Sequence, residues 1–138
     1  MSATTPPTSS RPPTHPFRAA VESGDIGAAI ALLDDDVVFH SPVVHQPYRG
    51  RQAVAEILRA VVQVFEDFHY VREISTPGAL DHALVFRARV GTRDLEGCDF
   101  IHQTPDGRID ELTVMVRPLS ATLALAEAMK ARLAAQPR

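Results

Sequence analysis

Residues 84–101 read LVFRARVGTRDLEGCDFI, two alternating runs that flank a central Gly-Thr pair. A two-residue turn at that pair predicts a β-hairpin. Its register places Arg89 opposite Asp94. It also places Arg87 opposite Glu96, and two such pairs of opposite charge support the register. The other face of the hairpin is then apolar apart from one carboxylate, and it consists of Leu84, Phe86, Ala88, Val90, Leu95, Gly97, Asp99 and Ile101.

Asp99 is the carboxylate on that apolar face. Closing the next hairpin across residues 104–107 places Asp99 opposite Leu112 and adds Val114 to the same face. A carboxylate on a buried face must find a hydrogen-bond partner, take up a proton or face a cavity. The residues alone leave two interpretations open: a partnered or rim carboxylate, and a group that faces a pocket.

Helices and further strands surround this hairpin. The clearest helix carries Val54, Ile57, Leu58, Val61 and Phe65 at the spacing of an amphipathic helix. Helices collected on one face of antiparallel strands predict an α+β fold. The other predicted elements are a helix over 17–23, a second helix from Asp25 to the aspartate triplet 34–36, strands over 37–41, 68–75 and 108–117, and a last helix over 119–134.

The composition is that of an ordinary globular domain with an unlike N-terminal segment. The chain has 138 residues, 45% of them hydrophobic, and five of its 11 prolines lie within the first 16 positions. We therefore predict a flexible Pro/Ser/Thr-rich arm over residues 1–14 and a single domain over residues 15–138. The net charge of −3 gives no reason to expect nucleic acid as a partner.

The sequence lacks the motifs of several classes of protein, namely membrane proteins, nucleotide-binding proteins and metalloproteins. No apolar run approaches the ~20 residues that cross a bilayer, and the start lacks the apolar core of a signal peptide, so we expect no membrane partner. Cys98 is the single cysteine, which fits a reducing cytoplasm. Neither a P-loop nor a glycine fingerprint occurs, and the histidines lack metal-site spacing, so we expect no cofactor and no metal.

Four short motifs carry a resemblance to a known superfamily. They are FRAAVESGD at 17–25, ALLDDDVVFHSP at 31–42, YRGRQAV at 48–54 and DGRI at 106–109. In this order and spacing, over about residues 15–118, they resemble the nuclear transport factor 2-like superfamily, which includes ketosteroid isomerases and SnoaL-like polyketide cyclases. The resemblance implies a cone-shaped barrel, in which a curved, mainly antiparallel sheet wraps around helices and leaves a pocket open at one end. It also implies a homodimer through the outer face of the sheet.

The resemblance to ketosteroid isomerases can be followed residue by residue. Those enzymes use a tyrosine on the first helix, a protonated aspartate on a late strand and a basic aspartate before a proline. The late aspartate falls on Asp99, the residue that the hairpin register singles out. The tyrosine position falls on Phe17 and the base position on Ser41. Since Phe cannot donate a hydrogen bond and Ser is no general base without a helper, we do not expect steroid isomerisation by that mechanism.

Two hypotheses of function follow. In the first, the chain is a SnoaL-like protein that binds a small apolar molecule, with isomerase, cyclase or dehydratase chemistry at Asp99. The ligand-binding residues are then Phe17, Phe39, Ser41, Phe86, Leu112 and Val114. In the second, it is a non-catalytic binding or dimerisation module whose cavity is filled by side chains. In either case an outer apolar stripe is the expected dimer surface; it consists of Val85, Cys98, Phe100, Thr113 and Met115.

Overall fold

The computed structural model describes residues 14–135, so the predicted arm lies outside the described residues except for Thr14. The elements follow one another as α1 (Pro16–Glu22), α2 (Ile26–Ala31), β1 (Leu33–His40), β2 (Tyr48–Arg49), α3 (Arg51–Val64), β3 (Glu66–Ile74), β4 (Asp81–Val90), β5 (Arg93–Gln103), β6 (Ile109–Arg117) and α4 (Leu119–Ala135). No helix within this range is long and apolar enough to cross a membrane.

One six-stranded sheet forms the body of the molecule, in the order β2-β1-β6-β5-β4-β3. β1 and β6 run parallel, and every other neighbouring pair is antiparallel. The sheet is not closed into a barrel, because β2 and β3 remain as its edges. The predicted α+β fold is confirmed: α3 and α4 pack against each other, α3 also lies on β1, and α4 crosses β4, β5 and β6.

The central hairpin has the register that the sequence predicts. Arg87 pairs with Glu96 and Arg89 with Asp94 across β4 and β5. On the inner face Leu84 and Phe86 are fully buried. The Arg89 side chain turns away from Asp94 towards the acidic start of β3, where its guanidinium lies 3.3 Å from the Glu66 carboxylate.

The next hairpin differs from the predicted register by two residues. Asp99 lies opposite Val114, and Leu112 lies opposite Ile101. The loop between the strands holds five residues instead of four, since Gln103 pairs with Ile109, and a bulge follows immediately. Because side chains alternate with a period of two, a shift of two residues leaves Asp99 on the same face as predicted.

The aspartate triplet 34–36 lies in β1 and does not end a helix, so the predicted second helix was too long. α2 ends at Ala31, and Leu33 is already paired with Ile109. Arginines from distant elements offset the negative charge, with Arg51 3.1 Å from Asp35 and Arg108 3.5 Å from Asp34. Both guanidiniums also donate to the Leu33 carbonyl, which fixes the start of the strand.

Candidate functional site

A cavity of about 740 Å³ lies between the inner face of the sheet and the four helices. Its walls are mostly apolar, with a few polar side chains among them, as is usual for a small-molecule site. The lining includes every site residue predicted from the sequence, namely Phe17, Phe39, Ser41, Phe86, Asp99, Leu112 and Val114. The structure therefore brings these seven residues together around one space, and a ligand role for them stays a prediction.

The α1 wall is fixed by the start of that helix. Pro16 occupies the first helical position, where its missing N–H costs nothing. His15 caps the helix, since its Nδ1 accepts a hydrogen bond from the Phe17 N–H at 3.0 Å and its Nε2 donates to the Gln103 amide oxygen at 2.9 Å. These contacts hold the Phe17 side chain, which is buried, against the cavity.

The sheet wall depends on a glycine. Gly97 of β5 lies opposite Phe86 of β4, and the Phe86 ring lies over the bare glycine backbone. A Cβ atom at position 97 would overlap this ring. Because position 97 has no side chain, the Phe86 ring can lie flat against the sheet and leave the cavity open. The same ring contacts Phe65 and Phe68.

Asp99 has one hydrogen-bond partner among the described residues, the Tyr70 hydroxyl of β3. The hydroxyl donates to Oδ2 at 2.8 Å, and both side chains are buried and line the cavity. No arginine, lysine or histidine within residues 14–135 lies within 4.0 Å of the Asp99 carboxylate. Of the two interpretations that the residues left open, the geometry combines both: the carboxyl is partnered and it faces a cavity.

The electrostatics of this pair follow from its burial. Burial raises the pKa of Asp99 to about 7, and the hydrogen bond from Tyr70 offsets part of the rise. Burial and the neighbouring carboxylate raise the pKa of the Tyr70 hydroxyl well above its usual range. Tyr70 therefore keeps its proton at neutral pH, whereas the Asp99 carboxyl exists there in both the neutral and the ionised form.

Sequence reasoning missed Tyr70. The signal was the alternation of Phe68 and Tyr70 in β3, which places both on the inner face, next to Phe86. Two irregularities interrupt the pairing of β3 with β4, one before His69 and one after Tyr70. Because each irregularity can reverse which face a side chain occupies, alternation alone could not assign the Tyr70 side chain to the cavity.

Cys98, His40 and His102 lie away from the cavity lining. Cys98 lies on the outer face of β5, half-buried, and burial followed by the nearby Asp99 raises the pKa of its thiol. His40 contacts Glu111 at 2.9 Å, and His102 contacts Asp110 at 2.6 Å. Within the described part of the chain, no three His, Cys, Asp or Glu side chains are grouped to hold a metal ion.

The arrangement defines a class of protein: an α+β domain whose open, mainly antiparallel sheet and helices enclose an apolar cavity with a buried carboxyl–hydroxyl pair. The chain belongs to the SnoaL-like domain family, whose model matches residues 15–112. This assignment confirms the resemblance to the nuclear transport factor 2-like superfamily. No curated protein matches the sequence.

Solved structures agree with the family assignment. A steroid delta-isomerase from Pseudomonas aeruginosa is 43% identical, with 86% of each chain covered and a TM-score of 0.81. An uncharacterised protein with a cystatin-like fold from Silicibacter pomeroyi is 36% identical, with 88% of each chain covered and the same TM-score. An NTF2-like protein from Burkholderia xenovorans, 20% identical, covers 83% of this chain and 90% of its own at a TM-score of 0.60, and so shows the fold alone.

Proposed function

We propose that this protein binds a small apolar molecule that carries a carbonyl or hydroxyl oxygen, and that Asp99 transfers a proton to or from it. The observation that carries the proposal is the Tyr70–Asp99 hydrogen bond at the wall of an apolar cavity. The reaction type is that of an isomerase, a cyclase or a dehydratase. The 43% identity to a protein described as a steroid delta-isomerase supports an acid–base reaction on an apolar substrate.

Proton counting explains why two neighbouring groups suffice. With Asp99 neutral, the pair holds two protons, so one bridges the two oxygens and the other can be donated to a ligand oxygen. With Asp99 ionised, the pair holds one proton, which lies in the hydrogen bond from the Tyr70 hydroxyl to Asp99 Oδ2. The other carboxylate oxygen can then accept a proton from the ligand. A pKa of about 7 lets one group serve in both states near neutral pH.

The chemistry needs no further reactant. One oxygen of the Asp99 carboxylate can take a proton from the carbon beside a ligand carbonyl, while the other oxygen keeps its hydrogen bond from Tyr70. In a ketone whose next bond but one is a double bond, Asp99 can then return that proton to the far carbon of that double bond, which moves the double bond next to the carbonyl. By the resemblance, Phe17 and Ser41 fall on the positions of the donor and the base of ketosteroid isomerases, so the proposal assigns both functions of a proton shift to the Tyr70–Asp99 pair.

Deuterium exchange tests this proposal without knowledge of the natural substrate. Apolar ketones are incubated with the protein in heavy water, binding is followed by NMR, and deuterium beside the carbonyl is measured by mass spectrometry. We expect exchange with the wild type and none with Asp99→Asn. Asp94→Asn, an exposed carboxylate of the same strand, is the matched control and should exchange normally.

The outcomes separate the two hypotheses. Binding without exchange in the wild type would favour the non-catalytic binding module. If no ketone perturbs residues that line the cavity, the ligand hypothesis itself is wrong. A cavity of about 740 Å³ supports the first hypothesis over a module filled by its own side chains.

We also propose that a second copy of the chain covers the outer face of the sheet. Phe100 is 43% exposed and Met115 59% exposed, and both belong to the stripe predicted from the sequence. Glu96 lies beside this stripe between Arg87 and Arg117, at 3.6 Å from each. A face that carries both signs of charge around an apolar centre can pair with itself across a two-fold axis. The single cysteine supports a reducing cytoplasm as the proposed compartment.

A further inference from the structure

A cationic side chain lines the same cavity, at the opposite extreme of exposure from Asp99. Lys130 of α4 lies on the lining and is exposed to solvent, whereas Asp99 is buried. Among the described residues that form the lining, Lys130 is the one cation and Asp99 the one acid. The cavity therefore has a positive charge at its solvent-exposed mouth and a carboxyl group at its buried end.

The ammonium of Lys130 forms no ion pair with any residue that the structure describes. No carboxylate of residues 14–135 lies within 4.0 Å of it, although arginines of the sheet, of α3 and of the loop before β6 have such partners. The lining also includes two exposed valines, Val44 and Val62. An unpaired cation that borders an apolar opening can attract a negative group of a ligand whose body fills the cavity.

The buried end of the cavity disfavours the same negative group. The Asp99 carboxyl already loses its charge readily because it is desolvated, and a ligand anion beside it would add repulsion to the cost of desolvation. A ligand with one neutral oxygen and one carboxylate would therefore enter in one orientation. Its neutral oxygen reaches Tyr70 and Asp99, and its carboxylate stays at the mouth.

We propose that Lys130 makes the site selective for apolar molecules with a terminal carboxylate, that is, for oxo or hydroxy carboxylic acids. The inference rests on the proposed function, because it adds a second contact to a ligand already held at the Tyr70–Asp99 pair. It assigns Lys130 a role in specificity and in ligand orientation. It gives Lys130 no part in proton transfer.

Lys130 has an alternative role that involves only its own helix, namely stabilisation of the C-terminal end of α4. Lys130 and Arg132 both lie near the C-terminal end of α4, where a positive charge interacts favourably with the helix dipole. Arg132 is also exposed, but it is not part of the cavity lining. Arg132→Gln is therefore the matched control for Lys130→Gln, since it removes a charge of the same helical role without touching the cavity.

The test compares one keto acid with its neutral ester. The probes are oxodecanoic acid, with its ketone next to the terminal methyl group, and its methyl ester. Calorimetry at pH about 6 keeps the probe carboxylate ionised and the Asp99 carboxyl mostly neutral. We expect the wild type to bind the acid about threefold to fivefold more tightly than the ester at low salt, and we expect added salt to reduce this ratio.

The variants decide between the two roles of Lys130. Lys130→Gln should bring the ratio of acid to ester affinity to about one, while Lys130→Arg and Arg132→Gln keep it. If Lys130→Gln leaves the ratio unchanged, or if Arg132→Gln abolishes it equally, the inference is wrong and the proposed function stands. If neither probe binds the wild type, the proposed function fails first. Asp99→Asn should alter the two affinities by the same factor.

Discussion

Replacing Asp99 by Asn should stabilise the protein, and more so at high pH than at low pH. The substitution keeps the size of the side chain, and the Asn carbonyl can still accept the hydrogen bond that Tyr70 donates at 2.8 Å. The substitution removes the Asp99 carboxyl, which otherwise ionises in a buried position. The effect therefore measures the cost of the carboxylate itself, with little change in packing.

The magnitude follows from the difference in proton binding between the folded and unfolded states. Burial raises the pKa of Asp99 from its ordinary 3.8 to about 7, so the folded state holds the proton more tightly than the unfolded chain. The stability that this proton supplies is complete below pH 3.8 and is lost as the pH rises towards 7. At about 1.4 kcal/mol for each pKa unit, the whole loss is about 4 kcal/mol.

Urea unfolding of the wild type and Asp99→Asn at pH about 5 and about 8 tests this expectation. The difference between the two proteins should grow by about 2–3 kcal/mol between these pH values, since part of the loss is already complete at the lower one. All other titrating groups are shared and cancel. Asp94→Asn, on the exposed start of β5, should show no such growth.

A constant difference between wild type and Asp99→Asn across this range would refute the reasoning. It would mean that the folded and unfolded states hold the Asp99 proton equally well. Asp99 would then be solvated through the cavity, and it would ionise fully below neutral pH. One carboxyl could then not serve as both proton donor and proton acceptor near neutral pH, whatever ligand the cavity binds.

Three other substitutions test separate parts of the structure. Tyr70→Phe removes the hydrogen bond that favours the ionised form, so the pKa of Asp99 should rise above 7 in an NMR titration of its carboxyl carbon; a fall would contradict the assigned donor. Gly97→Ala should force the Phe86 ring towards the cavity, with a loss of about 1–3 kcal/mol of stability and weaker ketone binding by calorimetry; unchanged binding would show that the ring can move elsewhere. Met115→Glu places a charge on the proposed dimer face and should yield monomers in light scattering, and a wild type that is already monomeric would disprove the dimer.

The fold was predictable where a local turn and a long-range pattern agree. The Gly-Thr turn specifies the pairing of β4 with β5, and the pairs of Arg87 with Glu96 and Arg89 with Asp94 confirm the same register. Nothing local specifies the five-residue loop and the bulge that follow β5. The face assigned to Asp99 was still correct, because the error in register was an even number of residues.

The start of β1 was mispredicted because its cause is tertiary. Three successive aspartates disfavour a buried element, and on local propensity they end a helix and begin a turn. In the structure two arginines from other elements bind this segment: Arg51 of α3 and Arg108 of the loop before β6. Both donate to the Leu33 carbonyl, and each pairs with one of the aspartates. A single sequence does not reveal which distant arginines meet a given acidic run.

The position of Tyr70 explains how a site can keep a donor when the first helix offers none. By the resemblance to ketosteroid isomerases, their first-helix tyrosine falls on Phe17, which cannot donate a hydrogen bond. Tyr70 lies opposite Phe86, and Phe86 lies opposite Gly97, so the hydroxyl reaches Asp99 across the width of β4. Both members of the pair thus belong to one hydrogen-bonded sheet, and their separation is set by strand register. Small movements of α1 would leave the distance between the two oxygens unchanged, so the geometry on which the proposed proton transfer depends does not rely on that helix.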